Sequence, residues 1–142
     1  MLKKFRSSCI IASALDLIGD KWSLLIVRDM LMHKKTTYKE IASSGEGIAT
    51  NLLSTRLKLL LSLDVITKRK LPGNKKENIY LLTEKGIDLA PLILEIVLWS
   101  DKHVRAYNAN MNAYEGHGLD KPQIVELAQK EYRELVGQIL DR

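Results

Sequence analysis

The hydrophobic period of this chain changes twice, and that change restricts its fold more than any single motif. From Ile11 to Leu63 apolar residues recur at helical spacing: Ile11, Leu15 and Ile18, then Trp22, Leu25, Ile26 and Met30, then Leu53, Leu57 and Leu60. After Leu63 the pattern changes, and Val65–Lys70 is β-branched and roughly alternating. This run and a second, Glu77–Leu82, are divided by Leu71-Pro72-Gly73-Asn74. Two such runs around Gly/Asn turn chemistry read as a hairpin. After Thr83 the helical spacing returns through Leu89, Ile93, Ile96, Val97 and Trp99 to about Tyr107. The expected fold is mainly α with one small β-hairpin.

The breaks between helices are equally legible. Gly19-Asp20 stops one helix and starts the next, and His33-Lys34-Lys35-Thr36 is a polar interruption. Thr37, with Glu40 three residues on, forms a capping box for a short helix from Tyr38 to Ser43. Ser44-Gly45-Glu46-Gly47 is a turn leading into a longer helix, 49–63. Thr83 caps the helix that follows the hairpin, with Gly86 and Pro91 weakening its first turns or kinking it. Asp120, Pro122 and Gln123 begin a last helix, in which Val125, Ala128, Tyr132, Leu135 and Ile139 make a narrow stripe suited to helix–helix packing. Three regions follow: a domain over 1–107, a loop over 108–119 and a C-terminal helical extension over 120–142.

Composition removes several classes. With 142 residues, 46% hydrophobic and 27% charged, the chain suits one compact domain and not a disordered one. A lone cysteine cannot form an intrachain disulfide, which points to a reducing, cytoplasmic setting. The longest apolar stretch, Leu89–Ser100, is interrupted by Glu95 and falls short of the roughly 20 residues a membrane helix needs. Lys3, Lys4 and Arg6 precede Cys9-Ile10-Ile11-Ala12, but Ser7-Ser8 and Asp16 leave too short an apolar core for a signal peptide. No membrane partner is expected.

The net charge of +5 is unevenly placed: residues 1–70 carry 13 Lys/Arg against 6 Asp/Glu, and the remainder is slightly acidic. A basic half beside a near-neutral one suits a polyanion-facing surface with a separate assembly region. The helix 49–63 sharpens this. Leu53, Leu57, Leu60 and Leu61 form its core stripe, while Asn51, Ser54, Thr55, Lys58 and Ser62 share the opposite side. No carboxylate occurs between Thr50 and Ser62. Short hydrogen-bonding side chains with flanking cations are what a helix entering the DNA major groove requires. Arg56 sits on the flank, where it either contacts phosphate or braces the fold. In the hairpin, the wing 68–80, Lys68, Arg69 and Lys70 lead in and Lys75-Lys76 follow the turn. Such a basic tip can lie on the backbone or minor groove of double-stranded DNA, and equally it can protect edge strands from aggregation.

These residues carry a resemblance. Cys9 followed by Ala14-Leu15-Asp16-Leu17-Ile18-Gly19-Asp20-Lys21-Trp22 and Leu25-Ile26-Val27-Arg28-Asp29 resembles the N-terminal signature of HxlR-type winged helix-turn-helix regulators, relatives of the MarR group. Gly47-Ile48-Ala49-Thr50-Asn51-Leu52-Leu53-Ser54-Thr55-Arg56-Leu57 resembles their recognition-helix motif, and Tyr80-Leu81-Leu82-Thr83-Glu84-Lys85-Gly86 their second wing strand. The resemblance runs from about Cys9 to Lys102. It implies a bacterial-type homodimeric transcription regulator whose N- and C-terminal helices build the dimer. Two departures stand out: Ile10 follows the cysteine where many members have Pro, and Gly73-Asn74 replaces paired wing prolines. The segment after Gly118 extends beyond the usual domain.

The expected DNA-binding residues are Thr50, Asn51, Ser54 and Thr55 toward bases, with Arg56, Lys58, Lys35, Lys75 and Lys76 mostly toward phosphates. Cys9 aligns with a cysteine that some relatives use to sense oxidants, quinones or other electrophiles. Lys3, Lys4 and Arg6 are cations that would favour its thiolate, and the plainer alternative is a small apolar residue in a dimer helix. His33, His103 and His117 show no metal-ligand spacing, and neither a catalytic order nor a phosphate-cradling loop appears, so no metal, cofactor or enzyme activity is expected. Trp22 and Trp99 suit core packing better than a ligand pocket. Two competing readings are a winged-helix scaffold that meets an acidic protein, and a sensor whose small-molecule effector binds between dimer helices.

Overall fold

The computed structural model describes residues 4–141. Seven helices and a hairpin follow in the order α1 (Ile10–Ile18), α2 (Ser23–His33), α3 (Tyr38–Ala42), α4 (Thr50–Ser62), β1 (Ile66–Leu71), β2 (Asn74–Leu82), α5 (Glu84–Ile87), α6 (Ala90–His103) and α7 (Lys121–Leu140). One core joins all of these but α1: Ile26, Val27, Met30 and Leu31 of α2, Ile41 of α3, Leu53, Leu57 and Leu60 of α4, Ile66, Tyr80 and Leu82 of the hairpin, Ile87 of α5, Ile93 of α6 and Tyr132 of α7. The leucine stripe of α4 is thus spent on the core, leaving its polar side outward. Leu61 packs at the margin of that core.

Local chemistry explains the boundaries. The Thr37–Glu40 capping box is formed, with Thr37 accepting from the Glu40 amide and the Glu40 carboxylate accepting from the Thr37 amide. Asp120 and Gln123 form a second capping box at the head of α7, with Pro122 in its first turn. Lys34 ends α2 in the left-handed region, at φ 58°.

Two expected elements differ from those observed. The second strand begins at Asn74, three residues before the expected Glu77, so Pro72-Gly73 alone make the turn and Lys75 and Lys76 lie on the strand. A register shift at Lys70/Leu71 absorbs the mismatch. The helix expected from Thr83 to Tyr107 is two helices. Pro91 has no amide hydrogen and its ring crowds the carbonyl four residues earlier, so α5 cannot continue through it. A new helix starts instead, with Pro91 in its first turn.

β1 and β2 are antiparallel, pairing Ile66 with Leu82 and Lys68 with Tyr80. On β2, Tyr80 and Leu82 face the main core, whereas Ile79 and Leu81 face Ile139, Leu135 and Val136 of α7. The C-terminal helix therefore packs on its own chain, against α2, α6 and the back of the hairpin. Trp99 departs from the expected core packing: it is 62% exposed on α6 and stacks obliquely on His103. Trp22 is half-buried, with the Lys21 ammonium 4.6 Å from its ring centre.

Candidate nucleic-acid interface

Helices α3 and α4, joined by the turn 43–49, form a helix-turn-helix, and three contacts hold it at a fixed angle. The Tyr38 hydroxyl donates to the Thr50 carbonyl at 3.1 Å and lies 3.4 Å from Ser54 Oγ, pinning the two helix starts together. Arg28 reaches the turn, 3.4 Å from Glu46 Oε2, while bonding Asp29 at 2.7 Å. Arg56, half-buried, places Nε 3.3 Å from Asp20 Oδ2 and so ties α4 to the corner between α1 and α2. Burial alone would raise the Asp20 pKa. The Ser23 hydroxyl, the amides of Ser23 and Trp22 and the Arg56 charge outweigh it, and hold the carboxyl below its ordinary value.

The outward side of α4 is as the sequence orders it. Thr50, Asn51, Thr55 and Lys58 are exposed, and Ser54 is half-buried beside Tyr38. In the free chain the short polar groups bond to their own helix: Asn51 Oδ1 accepts from the Leu52 amide at 2.9 Å and the Thr55 hydroxyl donates to the Asn51 carbonyl at 2.9 Å. Both are surface bonds that a base edge can replace at little cost. Ala49 gives α4 no side-chain cap, so its Thr50 and Asn51 amides are suited to a phosphate oxygen.

The cations fall into separate groups. Lys68, Arg69, Lys70, Lys75 and Lys76 are all exposed on one hairpin, which β1–β2 pairing brings into a single basic wing. Lys35 is different: it is half-buried, with Nζ 3.6 Å from the buried Asp29 carboxylate, so it shares an ion-pair cluster with Arg28. The hairpin is joined to the helix-turn-helix through the outer edge of β2, where the Tyr80 amide donates to the Thr36 carbonyl at 2.6 Å and Thr37 bridges Ile79. Sequence reasoning missed this edge contact and missed Tyr38. For Tyr38 the available signal was its place directly after the Thr37 cap.

Cys9 is exposed and is the N-cap of α1, its Sγ accepting from the Ala12 amide at 3.5 Å. Of the cations expected near it, Arg6 is bonded to Asp16 at 2.7 Å and Lys4 is exposed, while Lys3 lies outside the described residues. Helix α1 contains no buried residue, and Ile10, Ile11 and Leu15 on it are 88, 71 and 55% exposed. On α6, Leu92, Ile96 and Trp99 are also exposed. Among the described residues no cluster of His, Cys, Asp and Glu fit to hold a metal occurs, and no helix is long and apolar enough to cross a membrane.

A short helix, turn and polar-faced second helix, followed by a basic two-stranded hairpin stitched to that unit, define the winged helix-turn-helix class. A model of the HxlR-like helix-turn-helix family matches residues 17–108. The chain belongs to this family. It is 34% identical over 90 residues, 63% of this chain and 80% of the relative, to the HTH-type transcriptional regulator YodB of Bacillus subtilis. It is 30% identical over 94 residues to an HTH-type regulator of Mycobacterium tuberculosis, but there the match spans only 58% of the relative. Among solved structures, PA1607 matches with a TM-score of 0.66 at 31% identity, covering 81% of this chain and 80% of that one. The reduced form of YodB matches with a TM-score of 0.58 at 33% identity, covering 68% and 95%. Diamide-treated and quinone-bound YodB match with TM-scores of 0.54 and 0.55. These relatives are transcriptional regulators on a winged-helix fold, not enzymes.

Proposed function

We propose that this chain is a homodimeric, sequence-specific DNA-binding transcriptional regulator of the cytoplasm. Helix α4 enters the major groove and the wing lies on the backbone or minor groove. The observation that carries the reading is the carboxylate-free outward side of α4, held by Tyr38, Arg56 and the leucine core at a fixed angle to a wing with five exposed cations. Asn51, Thr50, Ser54 and Thr55 read bases, and Lys58, Lys75 and Lys76 hold phosphates. Arg56 and Lys35, already paired with Asp20 and Asp29, contribute mainly by bracing that surface.

The exposed apolar residues of α1 and α6 support dimerisation: Ile10, Ile11, Leu15, Ile96 and Trp99 would gain by leaving water together. Two-fold pairing places the half-sites about one DNA turn apart, near 34–36 Å. Cys9 supports an oxidant or electrophile effector, since it is exposed at the start of α1 and solved forms of YodB include diamide-treated and quinone-bound ones. It lies outside the residues matched by the family model. As the one cysteine of the chain, its disulfide partner would be a second subunit or a small thiol.

Selection of genomic fragments by the purified protein at about 0.15 M salt tests the reading, because weak counterion-driven binding is suppressed there. Recovery of a shared, two-fold-symmetric sequence is the expected result. Fragments without a shared sequence, whether Cys9 is reduced, oxidised or replaced, would overturn it in favour of a protein-facing scaffold.

A further inference from the structure

The C-terminal helix lies outside the residues matched by the family model, yet it completes the wing-bearing domain at several separate points. The first is the outer edge of β2, whose amides at Tyr80 and Leu82 point away from β1. Tyr80 is satisfied by the Thr36 carbonyl, and Leu82 donates to the Tyr132 hydroxyl at 2.8 Å, in a fully buried setting. The second is the Ile87 carbonyl, the group four residues before Pro91 that the proline leaves without its helical partner. Gln129 Nε2 donates to it at 3.1 Å. The third is the rear of the wing, where Ile79 and Leu81 form a buried apolar cluster with Ile139, Leu135, Val136 and Leu71. Arg133 adds two-nitrogen contact to Glu84 on α5, at 2.8–3.2 Å.

These contacts match donor to acceptor on the chain's own backbone. We propose that α7 is a clamp that sets the angle of the wing relative to α4, and that Tyr132 is a positioning residue for DNA contact. The proposal rests on the DNA-binding reading above. β2 is held on its outer edge by two neighbours, Thr36 at the entry to the helix-turn-helix and Tyr132 on α7, so the hairpin spans them as a beam between supports. The clamp meets the strand at its base, between Ile79 and Leu82, while Lys75 and Lys76 occupy the far end of the same strand. At roughly 3.3 Å per residue, a small rotation at the base moves those ammonium groups by several ångströms.

The test uses the full chain and two mild variants. Tyr132→Phe keeps the ring in the core and removes only the hydroxyl; Ile139→Ala loosens the rear contact alone. Residue-resolved hydrogen exchange and the salt dependence of affinity for the selected DNA site are read together. Both variants should speed exchange at Leu82 and along β1–β2 while leaving the α2 amides at wild-type rates. Their salt slope should fall toward that of a Lys75→Ala/Lys76→Ala double variant, which loses about 0.9 per phosphate contact. Combining either variant with the double variant should flatten the slope no further, because the same contacts are already lost. Exchange that accelerates equally in α2, with an unchanged salt slope, would make α7 a general stabiliser and overturn the clamp. So would slopes that add. If the wild type selects no DNA site, the DNA-binding reading fails, and the local exchange pattern still judges whether α7 holds the wing.

Discussion

Replacing Arg56 by Ala separates bracing from phosphate contact on the helix that carries the proposed recognition surface. Arg56 and Asp20 are 28% and 21% exposed at the side chain, so the pair is neither a solvated surface bridge nor a fully buried one. Removing the guanidinium leaves Asp20 accepting from the Ser23 hydroxyl at 2.6 Å, the Ser23 amide at 2.9 Å and the Trp22 amide at 3.0 Å. The carboxylate is not orphaned, so the loss stays below the about 3–5 kcal/mol that follows stripping a fully buried partner. It exceeds the about 0.2–1 kcal/mol of an exposed pair, because the arginine stem also packs. The expected cost is about 1–2 kcal/mol, a fall of about 3–6 °C in Tm for a chain of this size. A thermal melt followed by circular dichroism reads it. In parallel, the slope of log affinity against log salt should be unchanged, since a brace neutralises no phosphate. Asp20→Asn combined with Arg56→Ala should cost less than the sum of the singles, as expected of partners in one interaction. An unchanged Tm with a slope flatter by about one would refute the reasoning and make Arg56 a phosphate contact.

Other consequences are open to direct measurement. Asn51→Ala should lower discrimination between operator and near-operator sequences by about 1–3 kcal/mol, whereas Lys75→Ala should weaken all sequences alike and flatten the salt slope by about one, both read by titration at several salt concentrations. The Thr36 amide, then those of Thr37 and both hydroxyls, hold the Glu40 carboxyl below its ordinary value of 4.5 against the opposing effect of burial. Its contribution is therefore complete above that value and is lost as the pH falls through the lower folded-state value. Glu40→Gln should cost about 0.5–1 kcal/mol at about pH 6, with the gap to wild type closing as the pH is taken progressively below 4.5 in denaturant titrations. At Gly86 an added Cβ would overlap the Val65 carbonyl oxygen, so Gly86→Ala should lose about 1–3 kcal/mol in the same assay.

Much of this architecture was written in local chemistry. The Thr37–Glu40 box, the leucine stripe of α4 and the carboxylate-free side opposite it depend on neighbours within a turn or two, and they appear in the structure where spacing puts them. What could not be read depended on distant partners. Whether α7 packs on its own chain is decided by Leu82 and Ile87, which lie 50 and 42 residues from Tyr132 and Gln129. A hint was present: Ile79-Tyr80-Leu81-Leu82 is a continuous apolar run, and a strand with one wet face would alternate. Both faces are buried, one by the core and one by α7. Trp99 misled for a related reason, since a helical stripe shows that a face is apolar but not what covers it. For Lys35 and Arg56 the sequence shows a cation and, for Arg56, a place on the helix flank that suits bracing as well as phosphate contact, but it does not reveal the buried Asp29 and half-buried Asp20 that engage them.

Hydroxyl-radical footprinting of the wild-type protein on its selected site tests the central claim most directly. The account predicts two protected stretches related by two-fold symmetry, their centres about one helical turn apart, each flanked by wing protection that disappears in Lys75→Ala/Lys76→Ala. Even protection along the fragment, unchanged when the selected sequence is scrambled, would contradict it.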